Sequence, residues 1–74
     1  MHPEDNRTSS QIASRYLHRV VRMLAQAGES LDDASRHTPN RYHRDRLYYF
    51  ASGLRDLSIP LSRLASRLEK DGAL

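Results

Sequence analysis

Ala34-Ser35-Arg36-His37-Thr38-Pro39-Asn40-Arg41-Tyr42 is the stretch that decides the fold. Thr38 can cap a helix, Pro39 suits a first helical position, and the residue before a proline resists helical geometry. One helix is expected to end here and another to begin. The apolar pattern on either side supports that division. Before it, Ala13, Leu17, Val20, Leu24, Ala27, Leu31 and Ala34 recur at alternating steps of four and three. After it, Leu47, Phe50, Leu54, Leu57, Leu61, Leu64 and Leu68 do the same. Such spacing keeps each set on one helix face that packs at a shallow angle against a neighbour.

The first helix is expected over about 9–37. Residues 1–8 read as a polar, frayed leader, and Thr8 with Gln11 has capping-box spacing just before Ile12. Gly28 interrupts the apolar run without changing its phase. The helix is therefore either continuous and loosened there, or stops there with Ser30 capping a second short helix. In the second helix the phase holds across Pro60, which should kink one long helix or mark a restart capped by Ser58. Lys70-Asp71-Gly72 is expected to end it, leaving 72–74 as a flexible tail. The fold expected is all-α: an antiparallel, coiled-coil-like two-helix hairpin over 9–71, kinked or broken near Pro60, with each helix about 40 Å long.

Composition narrows the function. At 74 residues the chain makes at most one domain, and 38% hydrophobic content with one Phe and four Tyr is lean for an independent core. Ordering such a chain costs on the order of 100 kcal/mol, which a lone hairpin barely offsets by burial. A partner is thus a physical expectation before any motif is considered. There is no cysteine, which removes disulfides and thiolate metal sites and fits a reducing compartment. No apolar run reaches the roughly 20 residues of a membrane span, and Met1-His2-Pro3-Glu4-Asp5-Asn6-Arg7 lacks a signal peptide's apolar stretch. A cytoplasmic protein is expected.

Catalytic and metal chemistry find no footing. His2, His18, His37 and His43 are scattered, and His43 falls in phase with the second apolar face, as a seam-end residue. Asp32 and Asp33 are adjacent and so point in different directions on a helix. No nucleophile with its base, no glycine-rich phosphate loop and no cofactor-binding pattern is present. The expectation is a non-enzyme without cofactor or metal. A helix-turn-helix is also disfavoured, because the turn expected after Leu17 is replaced by the continuing helix His18-Arg19-Val20-Val21.

Two surfaces remain. Ile12, Tyr16 and Met23 on the first helix, and Tyr42, Tyr49 and Gly53 on the second, flank the apolar faces. Their width suggests a docking surface for a second chain. Alternatively, bends at Gly28 and Pro60 would fold the helices over these residues as a three- or four-helix bundle. The other surface is basic. Net charge is +3, and apart from Lys70 every basic residue besides histidine is arginine. Arg15, Arg19 and Arg22, joined by His18, share an outer face with no acid between Asp5 and Glu29, and Arg44, Tyr48 and Arg55 also point away from the seam. Arginines beside a tyrosine can grip phosphate and stack on a base. A solvated face, or the arginine usage of a GC-rich genome, accounts for the same residues without a ligand.

The sequence also resembles a known family. Pro39-Asn40-Arg41-Tyr42, followed by Phe50-Ala51-Ser52-Gly53-Leu54, is similar to the turn and second helix of the small helical-hairpin co-chaperones of type III secretion needle subunits. That resemblance implies binding to a tetratricopeptide-repeat co-chaperone and a needle subunit, with Tyr42, Tyr49, Phe50 and Leu54 near the partner-binding face. The leading expectation is therefore a helical adaptor or co-chaperone that stabilises a protein partner. A small dimeric nucleic-acid-binding regulator using the arginine strip is the alternative, and a homodimeric four-helix scaffold is a third.

Overall fold

Two helices account for nearly the whole chain because it offers long runs of helix-forming residues and only one break. A computed structural model describes residues 3–73, with side chains from Thr8 to Gly72. Helix α1 spans Pro3–Arg36 and helix α2 spans Arg41–Ala73. They lie antiparallel as a rod whose Cα extents are 57 × 16 × 14 Å, the expected hairpin, with helices of about 50 Å rather than 40 Å. The first helix begins at Pro3 and not near residue 9, and the second runs on to Ala73, so Thr8 sits inside a helix and caps nothing. Helix α1 is continuous through Gly28, and α2 continues unbroken through Pro60. Ser58 does not cap a restart; its hydroxyl donates to the Arg55 carbonyl at 2.6 Å.

The turn closes differently from the sequence expectation. Asn40, not Thr38, is the N-cap of α2. Its carbonyl accepts the Arg44 N–H at 3.0 Å, and its side-chain oxygen accepts the His43 N–H at 3.1 Å. Pro39 lies outside the helix, just before the cap. Thr38 instead serves the end of α1, donating its hydroxyl to the Ala34 carbonyl at 2.6 Å and its N–H to the Ser35 carbonyl at 3.1 Å. Carbonyls that have no partner within a helix end are met in this way, without any residue at positive φ among the described residues.

The seam between the helices carries the main correction. Its leucine rows are as expected: Leu17, Leu24 and Leu31 on α1, and Leu47, Leu54, Leu61 and Leu68 on α2, are all half-buried. The second row on each helix is shifted by one residue. Ser14, Val21, Gly28 and Ser35 face α2, whereas Val20, Ala27 and Ala34 are exposed. Likewise Ala51, Ser58 and Ala65 face α1, and Phe50, Leu57 and Leu64 are exposed. His43, expected at the seam end, is exposed too. Gly72 is buried in phase with Ala65 and belongs to the seam rather than ending the helix.

Small side chains let the two backbones approach closely. The Ser14 hydroxyl donates to the Ala65 carbonyl at 2.9 Å, and the Ser35 hydroxyl donates to the Arg44 carbonyl at 3.3 Å. At Gly28 an added Cβ would lie 3.8 Å from the Ala51 carbonyl oxygen. Ser14 against Ala65, Gly28 against Ala51 and Ser35 against Arg44 thus fix one register. Each step along α1 is matched by an equal step back along α2. Burying a serine hydroxyl costs free energy unless it is bonded, and here the facing helix supplies the acceptor. Ala51 and Ala65 are the only wholly buried apolar side chains among the described residues. The hairpin therefore encloses almost no dry core of its own.

Candidate docking face

Helical phase assigns opposite characters to the two long edges of the seam. The residues following each leucine row form a polar edge. There Arg55 pairs with Asp32, His18 Nε2 lies 3.5 Å from a Glu69 oxygen, and Gln11 donates to the Gly72 carbonyl at 3.1 Å. These groups tie α1 to α2 across the outside of the seam. Arg36–Asp33 and Arg41–Asp45 are ion pairs within one helix, the latter at 3.9 Å.

The residues preceding the small rows lie on the other edge, and that edge is apolar. Helix α1 contributes Ala13, Val20, Ala27 and Ala34; α2 contributes Phe50, Leu57 and Leu64. Val20, Phe50, Leu57 and Leu64 remain 39, 45, 50 and 46% exposed. Tyr16 and Met23 extend this face on α1, and Gly53 and Pro60 on α2. Around Gly53 a Cβ would meet no atom within 4 Å, so the surface there is open. No charged residue interrupts the three-row stretch of α2 from Phe50 through Leu57 to Leu64 on this edge.

The sequence-predicted partner residues divide accordingly. Tyr16, Met23, Phe50 and Gly53 belong to the apolar face or its rim. Ile12, Tyr42 and Tyr49 are exposed farther round the outer surface, Tyr49 at 76%. Leu54 does not belong to the face at all; it is half-buried in the seam and holds the hairpin together. Val20, Leu57 and Leu64 were assigned by periodicity to the seam and are instead the exposed body of the face. Ile59 is also exposed, on the far side of α2. Near the turn, the Arg46 guanidinium lies 5.8 Å from the Tyr42 ring centroid and 5.2 Å from that of Phe50, with Tyr49 edge-on to Phe50 at 6.1 Å. This stacking orders an aromatic cluster at one end of the face.

The arginine strip divides in the same manner. Arg15, Arg19 and Arg22 are exposed and line a shallow groove with Ile12 and Tyr16. Arg55 and Arg44 do not point freely away from the seam. Arg55 is engaged by Asp32, and Arg44 is half-buried at a seam position whose carbonyl takes the Ser35 hydroxyl. Tyr48 is exposed, on the polar edge.

Charge is shared along the rod. Arg22, Arg36, Arg41, Arg44, Arg46 and Arg55 lie in the half nearer the turn with Glu29, Asp32, Asp33, Asp45 and Asp56. The other half holds, among the residues with described side chains, Arg15, Arg19, Arg63, Arg67 and Lys70 with Glu69 and Asp71. Among the described residues no three His, Asp or Glu side chains are grouped as a metal site, and no helix is long and apolar enough to cross a membrane. No protein-family model, curated protein or solved structure matches the chain.

Proposed function

We propose that this chain is a small helical adaptor or co-chaperone that works by laying one apolar face of its hairpin against a protein partner. The observation that carries this reading is the asymmetry of the two edges. One is closed by Arg55–Asp32 and His18–Glu69, while the other leaves Val20, Phe50, Leu57 and Leu64 open to solvent. Contiguous exposed apolar rows of this kind mark protein interaction sites. The mechanism is steric: the face covers a sticky surface on the partner, stabilises it, and releases it later. The resemblance of the turn and second helix to needle-subunit co-chaperones favours a cytoplasmic role of that type, with a tetratricopeptide-repeat protein and a needle subunit as partners.

A second reading draws on the arginine strip. Arg15, Arg19 and Arg22, exposed beside Tyr16 with no acid between Asp5 and Glu29, suit a nucleic-acid backbone, in a small dimeric regulator. Capture of the tagged full chain from native lysate, with and without nuclease, separates the two. The adaptor reading expects a stoichiometric protein that resists nuclease and is lost on Leu57→Asp. Equal capture by Leu57→Asp overturns it. Recovery of nucleic acid, weakening steeply with salt and lost when Arg15, Arg19 and Arg22 become Ala, replaces it with the second reading.

A further inference from the structure

We infer that the apolar face is covered by a second copy of this chain, the two hairpins packing face to face as a four-helix bundle. The inference rests on the docking-face reading above and names its occupant: the protein that covers the face is a second copy of the chain, in place of a tetratricopeptide-repeat protein or needle subunit. Three observations lead to a second copy.

The first is area. The chain exposes 5962 Å². A compact protein of 8.5 kDa exposes about 4,700 Å², so the hairpin shows roughly 1,300 Å² beyond what its mass requires. Removing that excess from each of two copies buries on the order of 2,600 Å², within the range of obligate homodimers. A second hairpin laid on the face supplies a contact of that size.

The second is shape. The face is not uniform: α1 presents the low row Val20 and Ala27, and α2 presents the high row Phe50 and Leu57. A hairpin that carries both a ridge and a trough is complementary to itself, which a two-fold interface requires. A two-fold axis along the rod sets each ridge over a trough; an axis across it pairs ridge with ridge and trough with trough. Both bring these rows to the bundle centre.

The third is charge. Val20, Ala27, Phe50, Leu57 and Leu64 carry no charge, so self-association places no like charges at the centre of the contact despite a net charge of +3; Arg46, over the Phe50 ring, and Asp71 lie at opposite ends of the α2 row. The charged groups that bridge α1 and α2 already have partners on the opposite edge. Depletion of charge from the middle of the contact is the usual composition of homodimer interfaces.

Sedimentation equilibrium of the full chain from about 1 to 200 μM provides the first test, with the expected mass being that of two chains. Leu57→Asp should sediment as one chain, because it buries a carboxylate at the bundle centre. Folding and association can fail together, so a milder pair of variants supplies the second test. The chain has no cysteine, and Ala25 and Ala27 are both exposed in the single hairpin but lie toward opposite edges of the seam. In Ala27→Cys the thiol should react with a maleimide at least tenfold more slowly at high chain concentration than at low. In Ala25→Cys the rate should be independent of concentration. A single-chain mass throughout the range overturns the second-copy inference. If that monomer still captures a protein through Leu57, the docking face itself stands. A dimer with equal alkylation at both sites places the contact elsewhere and overturns the second-copy inference, and capture lost on Leu57→Asp then decides the face by itself.

Discussion

Gly28→Ala tests the seam most directly. The glycine lies in a helix interior, at an ordinary helical φ, where glycine is less favourable than alanine by about 1 kcal/mol. Whether that gain is realised depends on the facing helix. An added Cβ would lie 3.8 Å from the Ala51 carbonyl oxygen and 4.0 Å from Arg55 Nε, both ordinary van der Waals separations. The methyl group enters a buried position without displacing backbone, so packing adds to the propensity term rather than opposing it. The expected gain is about 1–1.5 kcal/mol. For a chain of this length that corresponds to a rise in Tm of roughly 6–9 °C, read by circular dichroism. Gly53→Ala is the comparison, measured at the same chain concentration. It has no neighbour within 4 Å and should gain the propensity term alone, about 1 kcal/mol. A Gly28→Ala protein less stable than the parent would mean that the helices approach more closely than described, and the register built on Ser14, Gly28 and Ser35 would fall.

Three further substitutions probe other parts of the hairpin. Asn40→Ala removes the side-chain acceptor of the His43 N–H and should cost about 1 kcal/mol in urea denaturation, with Asn40→Asp largely restoring it; no loss would remove Asn40 as the cap. Ala65→Leu forces a large side chain into a fully buried small-residue position and should cost about 1–3 kcal/mol or splay the open end, read as lost stability or an increased radius in small-angle scattering. A stabilised, unchanged rod would refute close packing there. Pro60→Ala supplies an N–H for the Asp56 carbonyl in an exposed part of α2 and should stabilise the protein by up to about 3 kcal/mol in thermal unfolding; a neutral result would show that the helix accommodates the ring without loss.

Residue types made part of this structure legible in advance. The proline-marked turn and the two leucine rows divide the chain into antiparallel helices by spacing alone, and both appear as expected. The second row on each helix was not legible by counting apolar residues. Periodicity chose Val20, Ala27 and Ala34, and Phe50, Leu57 and Leu64, because they are the most hydrophobic residues in the right phase. The helices instead rotate toward Ser14, Gly28 and Ser35, and toward Ala51, Ser58 and Ala65. Close approach rewards small size, and a serine hydroxyl that meets a facing carbonyl loses its polar character as an obstacle. The recurrence of small residues every seven positions was the available signal. Leu54 keeps the seam place its spacing gives it, not the partner-face place the resemblance implies, and the same rotation draws Arg55 to Asp32. Which chain covers the face is a property of shape and total exposed area, and no residue spacing states either.

The bonds that cross the hairpin also set an order in time. Ser35 to Arg44 spans 9 residues of chain, Asp32 to Arg55 spans 23, Ser14 to Ala65 spans 51 and Gln11 to Gly72 spans 61. Once the first rung beside the turn has closed, each later rung shuts only the short loop left by the one before it, so closure entropy is met in small instalments. The chain can therefore zip from the turn outward and unzip from the far end inward, with amide exchange slowest near the turn and fastest at the termini.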